Sequence, residues 1–127
     1  MYLKCVQKVR NSVKLAIIGS RTITHFSIDS YIPDGVTEIV TGGARGVDAL
    51  AKNFAERKSI RLTEFKPDYR RYKKGAPLMR NRLIADYADE ALVFWDGRSK
   101  GTKYTRDLFL KMNKNVRVVS VEMPKDK

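Results

Sequence analysis

The stretch Glu38 to Ala49, EIVTGGARGVDA, places three glycines, an arginine and an aspartate within a few residues of one another. Gly42, Gly43 and Gly46 remove Cβ atoms, so the backbone there can take positive φ and its N–H groups can approach a ligand closely. Such N–H groups, added to the positive end of a following helix dipole, favour an anion, usually phosphate. Arg45 offers a bidentate donor inside the turn. Asp48 stands at the start of the following helix, where a carboxylate either caps the helix or touches the ligand. The spacing is not that of a Walker loop, which needs Lys and then Ser or Thr, nor a complete G-x-G-x-x-G. A glycine-rich connection without a ligand is therefore the other reading of the same residues.

Two further segments carry ligand-type residues. Gly19-Ser20-Arg21 follows a short apolar run, and DGRSKGTK supplies Asp96, Gly97, Ser99, Gly101 and Thr102 after another. Asp96, at the end of its run, is placed to meet a ribose hydroxyl or a base edge. Thr102 opens the last helix, where capping and phosphate binding use the same geometry. Arg21, Arg45 and Arg82 are the candidates for phosphate or ribose contacts, with Arg80 and Asn81 on the same rim. Arg80 and Arg82 lie two apart on a helix and do not share a face.

Between Lys66 and Arg82 seven basic residues face one acid, Asp68, with Tyr69 and Tyr72 interleaved. Cations for phosphates and aromatic rings for stacking are the composition of a single-strand binder. Arg70, Arg71, Tyr72, Lys73, Lys74 and Arg80 are the candidate nucleic-acid contacts. The alternative is a solvated basic loop whose tyrosines pack on the sheet edge.

The elements that must position these residues alternate. Strands are expected at Val13 to Ile18, Glu38 to Thr41, Arg61 to Phe65, Ala91 to Trp95 and Val116 to Val121. Between them the pattern predicts a short helix over Thr24 to Tyr31 and a helix from Val47 to about Lys58. A third, carrying Met79, Leu83, Ile84 and Tyr87 inward, starts at Pro77 and ends near Ala88; a fourth runs to about Met112. The strands read as continuous apolar runs, as in a parallel sheet covered on both faces. A single Rossmann-like α/β/α domain of three layers, with a mostly parallel sheet of about five strands, spans residues 13–122. Residues 1–12 are read as an N-terminal arm and 123–127 as a charged tail. In such a sheet ligands sit beyond the carboxyl ends of the strands, where the three loops fall.

Composition narrows the chemistry. Lysines and arginines number 26 against 14 acids, a formal charge of +12, which attracts polyanions without specifying one. No apolar run approaches the ~20 residues of a membrane span, and a cytoplasmic protein without a membrane partner is expected. Cys5 and His25 are the only residues of their types, so a Cys/His metal site is not expected. No cofactor is evident beyond a nucleotide-derived ligand, and a homo-oligomer is left open.

Taken in order, GSR, TGGARGVDALA, APLMRNRLIADYAD and ALVFWDGRSKGTK resemble the YspA-like branch of the SLOG superfamily. That superfamily includes the DNA-processing protein Smf (DprA) and the LOG phosphoribohydrolases. The resemblance implies a Rossmann-like fold and a site for a nucleotide or a nucleotide derivative, and it favours Arg82 as the ligand arginine. It also implies two alternatives. One is LOG-like hydrolysis of an N-glycosidic bond, but Tyr104 stands where LOG enzymes carry a catalytic Glu. A phenol does not do the work of a carboxylate at neutral pH, so Asp96 or Asp107 would have to replace it. The other is DprA-like binding of single strands, since Ala44 to Asp48 and Arg80 to Arg82 resemble two motifs of that protein.

Overall fold

A computed structural model describes residues 12–122. Five strands, β1 (Lys14–Gly19), β2 (Glu38–Thr41), β3 (Arg61–Glu64), β4 (Glu90–Trp95) and β5 (Asn115–Ser120), form one sheet in the order β3-β2-β1-β4-β5. Every neighbouring pair is parallel, with Ile17 opposite Leu92 and Leu15 opposite Ile39. Helix α1 (Val47–Arg57) covers one face, and α2 (Ala76–Tyr87) and α3 (Lys100–Lys111) cover the other. This is the expected α/β/α architecture. Among the described residues no helix is long and apolar enough to cross a membrane. The arm expected at 1–12, apart from Ser12, and the tail at 123–127 lie outside the described residues.

Burial on both faces explains the unbroken apolar runs of the central strands. In β1, Leu15 and Ile17 pack towards α1, while Ala16 and Ile18 pack towards α2 and α3; in β4, Leu92 and Phe94 divide from Ala91 and Val93 in the same way. The edge strands β3 and β5 have lost this pressure and are only partly buried.

The helix expected over Thr24 to Tyr31 is absent; that stretch is irregular apart from one 3-10 turn at Asp29–Tyr31. Ile23 and Ile28 are both fully sunk in the core. Residues five apart lie about 140° from each other around a helix, so one helix face cannot bury both. The irregular chain does so, and Phe26 and Tyr31 then pack on Phe94 with ring centroids 5.6 and 5.5 Å away.

The inward face of α2 also differs from the expected one. Its buried residues are Ala76, Arg80, Ile84 and Ala85, while Leu83 is 44% exposed. Small alanines let the helix lie close to the sheet. At its end, Lys114 Nζ donates to the carbonyls of Ala85, Asp86 and Ala88 at 2.6, 3.1 and 2.7 Å. A cation is thereby set on the negative end of the helix dipole, where the last carbonyls have no partner within the helix. Lys114→Met, which keeps the apolar stem, should lower stability by about 1–3 kcal/mol, read as a lower urea midpoint with unchanged slope.

Candidate functional site

The order β3-β2-β1-β4-β5 makes the chain leave β1 towards one side and β4 towards the other, and the gap between their carboxyl ends is where such sheets bind ligands. A crevice of about 140 Å³ lies there. Gly19 and Arg21 contribute from the β1 loop, Gly42, Ala44 and Asp48 from the glycine turn, and Ser99, Gly101, Thr102 and Thr105 from the start of α3. Helix α2 closes it with Pro77, Leu78, Arg80, Asn81 and Ile84. A larger cleft of about 270 Å³, bordered by Tyr31, Pro33, Asn115 and Arg117, lies at the amino ends of the strands. The smaller crevice is the candidate site, because the three loops with ligand-type residues converge on it.

The loops are tied together beneath the crevice. Ser20 is buried; its N–H donates to Phe94 O at 3.1 Å, its Oγ accepts from Asp96 N at 3.1 Å, and its carbonyl accepts from Val47 N at 3.4 Å. Ser20 is thus a knot between loops and does not line the crevice. Gly46, at φ +77°, lies so close to the next segment that a Cβ there would sit 2.5 Å from Arg21 Cα. Asp96 spends both oxygens within the frame: Oδ1 accepts from Arg98 N (2.8 Å) and Ser99 N (3.0 Å), and Oδ2 from Thr22 Oγ1 (2.9 Å). Desolvation opposes its charge, but these donors outweigh it and hold the carboxyl down at about 2. Asp96 therefore builds the β4 loop and does not project into the crevice. The cap of α3 is Ser99, whose Oγ accepts from Thr102 N at 3.2 Å.

The glycine turn differs from the sequence expectation. Asp48 does not cap α1; its Oδ2 accepts from Gly42 N at 3.2 Å and Ala44 N at 3.1 Å, closing the turn on itself. Two of the N–H groups expected to meet a phosphate are thus already bonded to the protein's own carboxylate. Burial pushes the Asp48 carboxyl up to about 6, against the pull of those N–H groups and of the Arg80 charge. Arg80, only 9% exposed, donates from Nη1 to Gly42 O at 2.5 Å and from Nε to Asn81 Oδ1 at 2.8 Å. A Cβ on Gly42 would lie 2.5 Å from that Nη1, so this arginine requires the glycine.

Arg80 and Arg82 do occupy opposite faces, but the one that reaches the site is Arg80; Arg82 is exposed and does not line the crevice. Gly43, Arg45 and Gly97 are also exposed and off the lining. Tyr104 is partly buried and outside it, and Asp107 is paired with Arg106 and Lys103. Sequence reasoning missed Pro77, Leu78, Ile84 and Thr105. The signal for α2 was present, since Pro77, Arg80, Asn81 and Ile84 fall at i, i+3, i+4 and i+7 of one helical stripe.

The basic stretch forms a helical turn at Tyr69–Tyr72, capped by Asp68, and a 3-10 turn at Lys73–Gly75. Arg70, Arg71, Lys73 and Lys74 are exposed. Tyr72 is half-buried with the Arg71 guanidinium 5.4 Å from its ring centroid, and the open ring is Tyr69, 58% exposed.

Asp48 sets a pH dependence. Its folded value, about 6, lies above the model-peptide 3.8, so the folded chain holds this proton more tightly than the unfolded one. The destabilisation is complete above pH 6 and vanishes as the pH falls towards 3.8; a shift of about two units corresponds to at most ~3 kcal/mol. Asn at this position still accepts from both N–H groups but leaves Arg80 without its counter-charge. Asp48→Asn should therefore stabilise the fold at pH 7.5 by about 1–2 kcal/mol, a gain that shrinks towards pH 4. Urea midpoints at the two pH values measure it, and a variant less stable at pH 7.5 would contradict this balance.

Residues 27–72 match the YspA, cpYpsA-related SLOG family. A structure of DNA processing protein A from Helicobacter pylori, solved for its single-stranded DNA binding mode, is similar at 26% identity with a TM-score of 0.65. The similarity covers 84% of this chain and 64% of that chain, so this chain spans less than two thirds of that neighbour's length. No curated protein matches. Family match and structural neighbour agree with the motifs read from the sequence: residues 27–72 carry the signature of the YspA, cpYpsA-related SLOG family, on a Rossmann-like fold shared with DNA processing protein A.

Proposed function

We propose that this domain binds a nucleotide or a nucleotide derivative in the crevice at the carboxyl end of the sheet. The observation that carries the reading is the convergence of the β1 loop, the glycine turn and the start of α3 on one crevice at the reversal point of the strand order. Ser99, Gly101 and Thr102 bring the positive end of a 12-residue helix to its wall, and Arg21 stands on the β1 side. A phosphate is best accommodated between them, since the N–H groups of Gly42 and Ala44 are already bonded. The volume, about 140 Å³, is below the ~300 Å³ at which pockets begin to enclose a drug-sized ligand. Only part of a nucleotide enters, and the rest lies on the surface.

A second reading has its own support. A crevice that takes one unit and leaves the remainder outside also suits a strand, and the exposed cations of Arg70 to Lys74 lead directly into α2, one wall of the crevice. The neighbouring DNA processing protein A binds single-stranded DNA. On this reading Tyr69, with its open face, is the stacking residue.

Calorimetry with the nucleoside 5′-monophosphates tests the first reading. At least one should bind in the micromolar to millimolar range, and Arg21→Ala should weaken it about tenfold, as expected for loss of one charge-assisted contact. No binding by any of them would remove it. For the second, fluorescence anisotropy of a labelled oligonucleotide should show a salt slope that falls by ~0.7 per lost phosphate contact when Arg70, Arg71, Lys73 and Lys74 become Gln. Tyr69→Ala should cost a further ~1–3 kcal/mol; an unchanged slope and affinity would leave the crevice alone as the site.

A further inference from the structure

Asp48 is the one acid among the residues lining the crevice, and it is only 8% exposed. Its two oxygens are not equivalent. Oδ2 takes both N–H groups of the glycine turn, while Oδ1 has no hydrogen-bond partner among the described residues. Nor is Oδ1 sealed in the core, since the only fully buried side-chain polar atom without a partner among the described residues is Thr41 Oγ1. A buried carboxylate oxygen that is neither satisfied nor sealed opens onto the space its residue lines. Resting on the nucleotide reading above, we propose that Asp48 forms an acceptor subsite at the glycine-turn end of the crevice, which takes the sugar hydroxyls of the ligand and turns its phosphate towards Arg21 and α3.

The charges around it fit this orientation. The groups that act on Asp48 are Arg80 of α2, which attracts, and Glu64 of β3, which repels. The guanidinium of Arg80 is turned to Gly42 O and Asn81 Oδ1, and its charge balances that of Asp48. A phosphate placed beside Asp48 would meet a like charge in a poorly solvated wall. A hydroxyl donates to the open oxygen and completes the carboxylate's bonding. A site built to receive a hydroxyl discriminates against an analogue lacking it, because the buried acceptor is then left unpaired.

The test is a two-by-two comparison by calorimetry at pH 7.5: adenosine 5′-monophosphate and its 2′,3′-dideoxy analogue, each against the full chain and Asp48→Asn. The wild-type chain should prefer the hydroxylated nucleotide by about 10- to 100-fold, the range expected for a hydrogen bond to a charged group. In Asp48→Asn that ratio should fall severalfold, mainly through loss of affinity for the hydroxylated nucleotide. Wild-type binding with equal affinity for both overturns the subsite while leaving nucleotide binding intact, as does a preference undiminished in Asp48→Asn. Failure of the wild type to bind either nucleotide overturns both readings. Should Asp48→Asn not fold, the wild-type ratio decides alone.

Discussion

At the carboxyl end of the sheet the glycine turn meets the β1 loop and helix α2 at distances that leave no room for a Cβ. The carbonyl side of Arg21 rests on Gly46, and the guanidinium of Arg80 rests on Gly42. Everything chemical about the crevice depends on this closeness. It brings the start of α1 beneath the β1 loop, lets Ser20 join three segments by hydrogen bonds, and leaves a cleft narrow enough for one wall to sense the charge of the other. A side chain at Gly46 would push the turn away from the β1 loop, and one at Gly42 would displace the Arg80 guanidinium, before either touched any ligand.

Charge follows a different logic outside and inside. The chain as a whole carries +12, and much of that charge is displayed on exposed segments such as Arg70 to Lys74. Within the crevice the buried arginine and the buried aspartate offset each other. On the proposed reading, attraction at long range and selection at short range fall to different residues: a cationic surface attracts polyanions without discrimination, and the balanced interior would leave hydrogen-bond geometry to choose among them.

The architecture was legible because its cause is local. Central strands buried on both faces must be apolar throughout, and α1 shows its stripe at Val47, Ala51, Phe54 and Ala55, so strands and helix were readable from periodicity. The segment between β1 and β2 was not, because Ile23 and Ile28 are placed by the core and by Phe94, which come from elsewhere in the chain. The same limit explains the arginines. Opposite placement of Arg80 and Arg82 follows from helix geometry, but which faces inward is fixed by the Gly42 carbonyl, 38 residues away in sequence. Likewise the glycines announced a turn with N–H groups to offer, and nothing in their spacing revealed that Asp48 would take two of them first.

The contact of Gly46 with Arg21 involves the backbone of Arg21, and among the described residues no hydrogen bond from its exposed guanidinium helps to hold the loops together. The scaffold and the head group it presents are therefore separable. On the proposed nucleotide reading, substitution at position 21 would exchange one recognition chemistry for another, a carboxamide or a hydroxyl for a cation, without disturbing the joints underneath, whereas a Cβ at position 46 would meet the backbone of Arg21. A scaffold built this way separates the joints that hold it from the side chain it presents, which, on the proposed reading, makes position 21 a handle for redirecting what the domain binds.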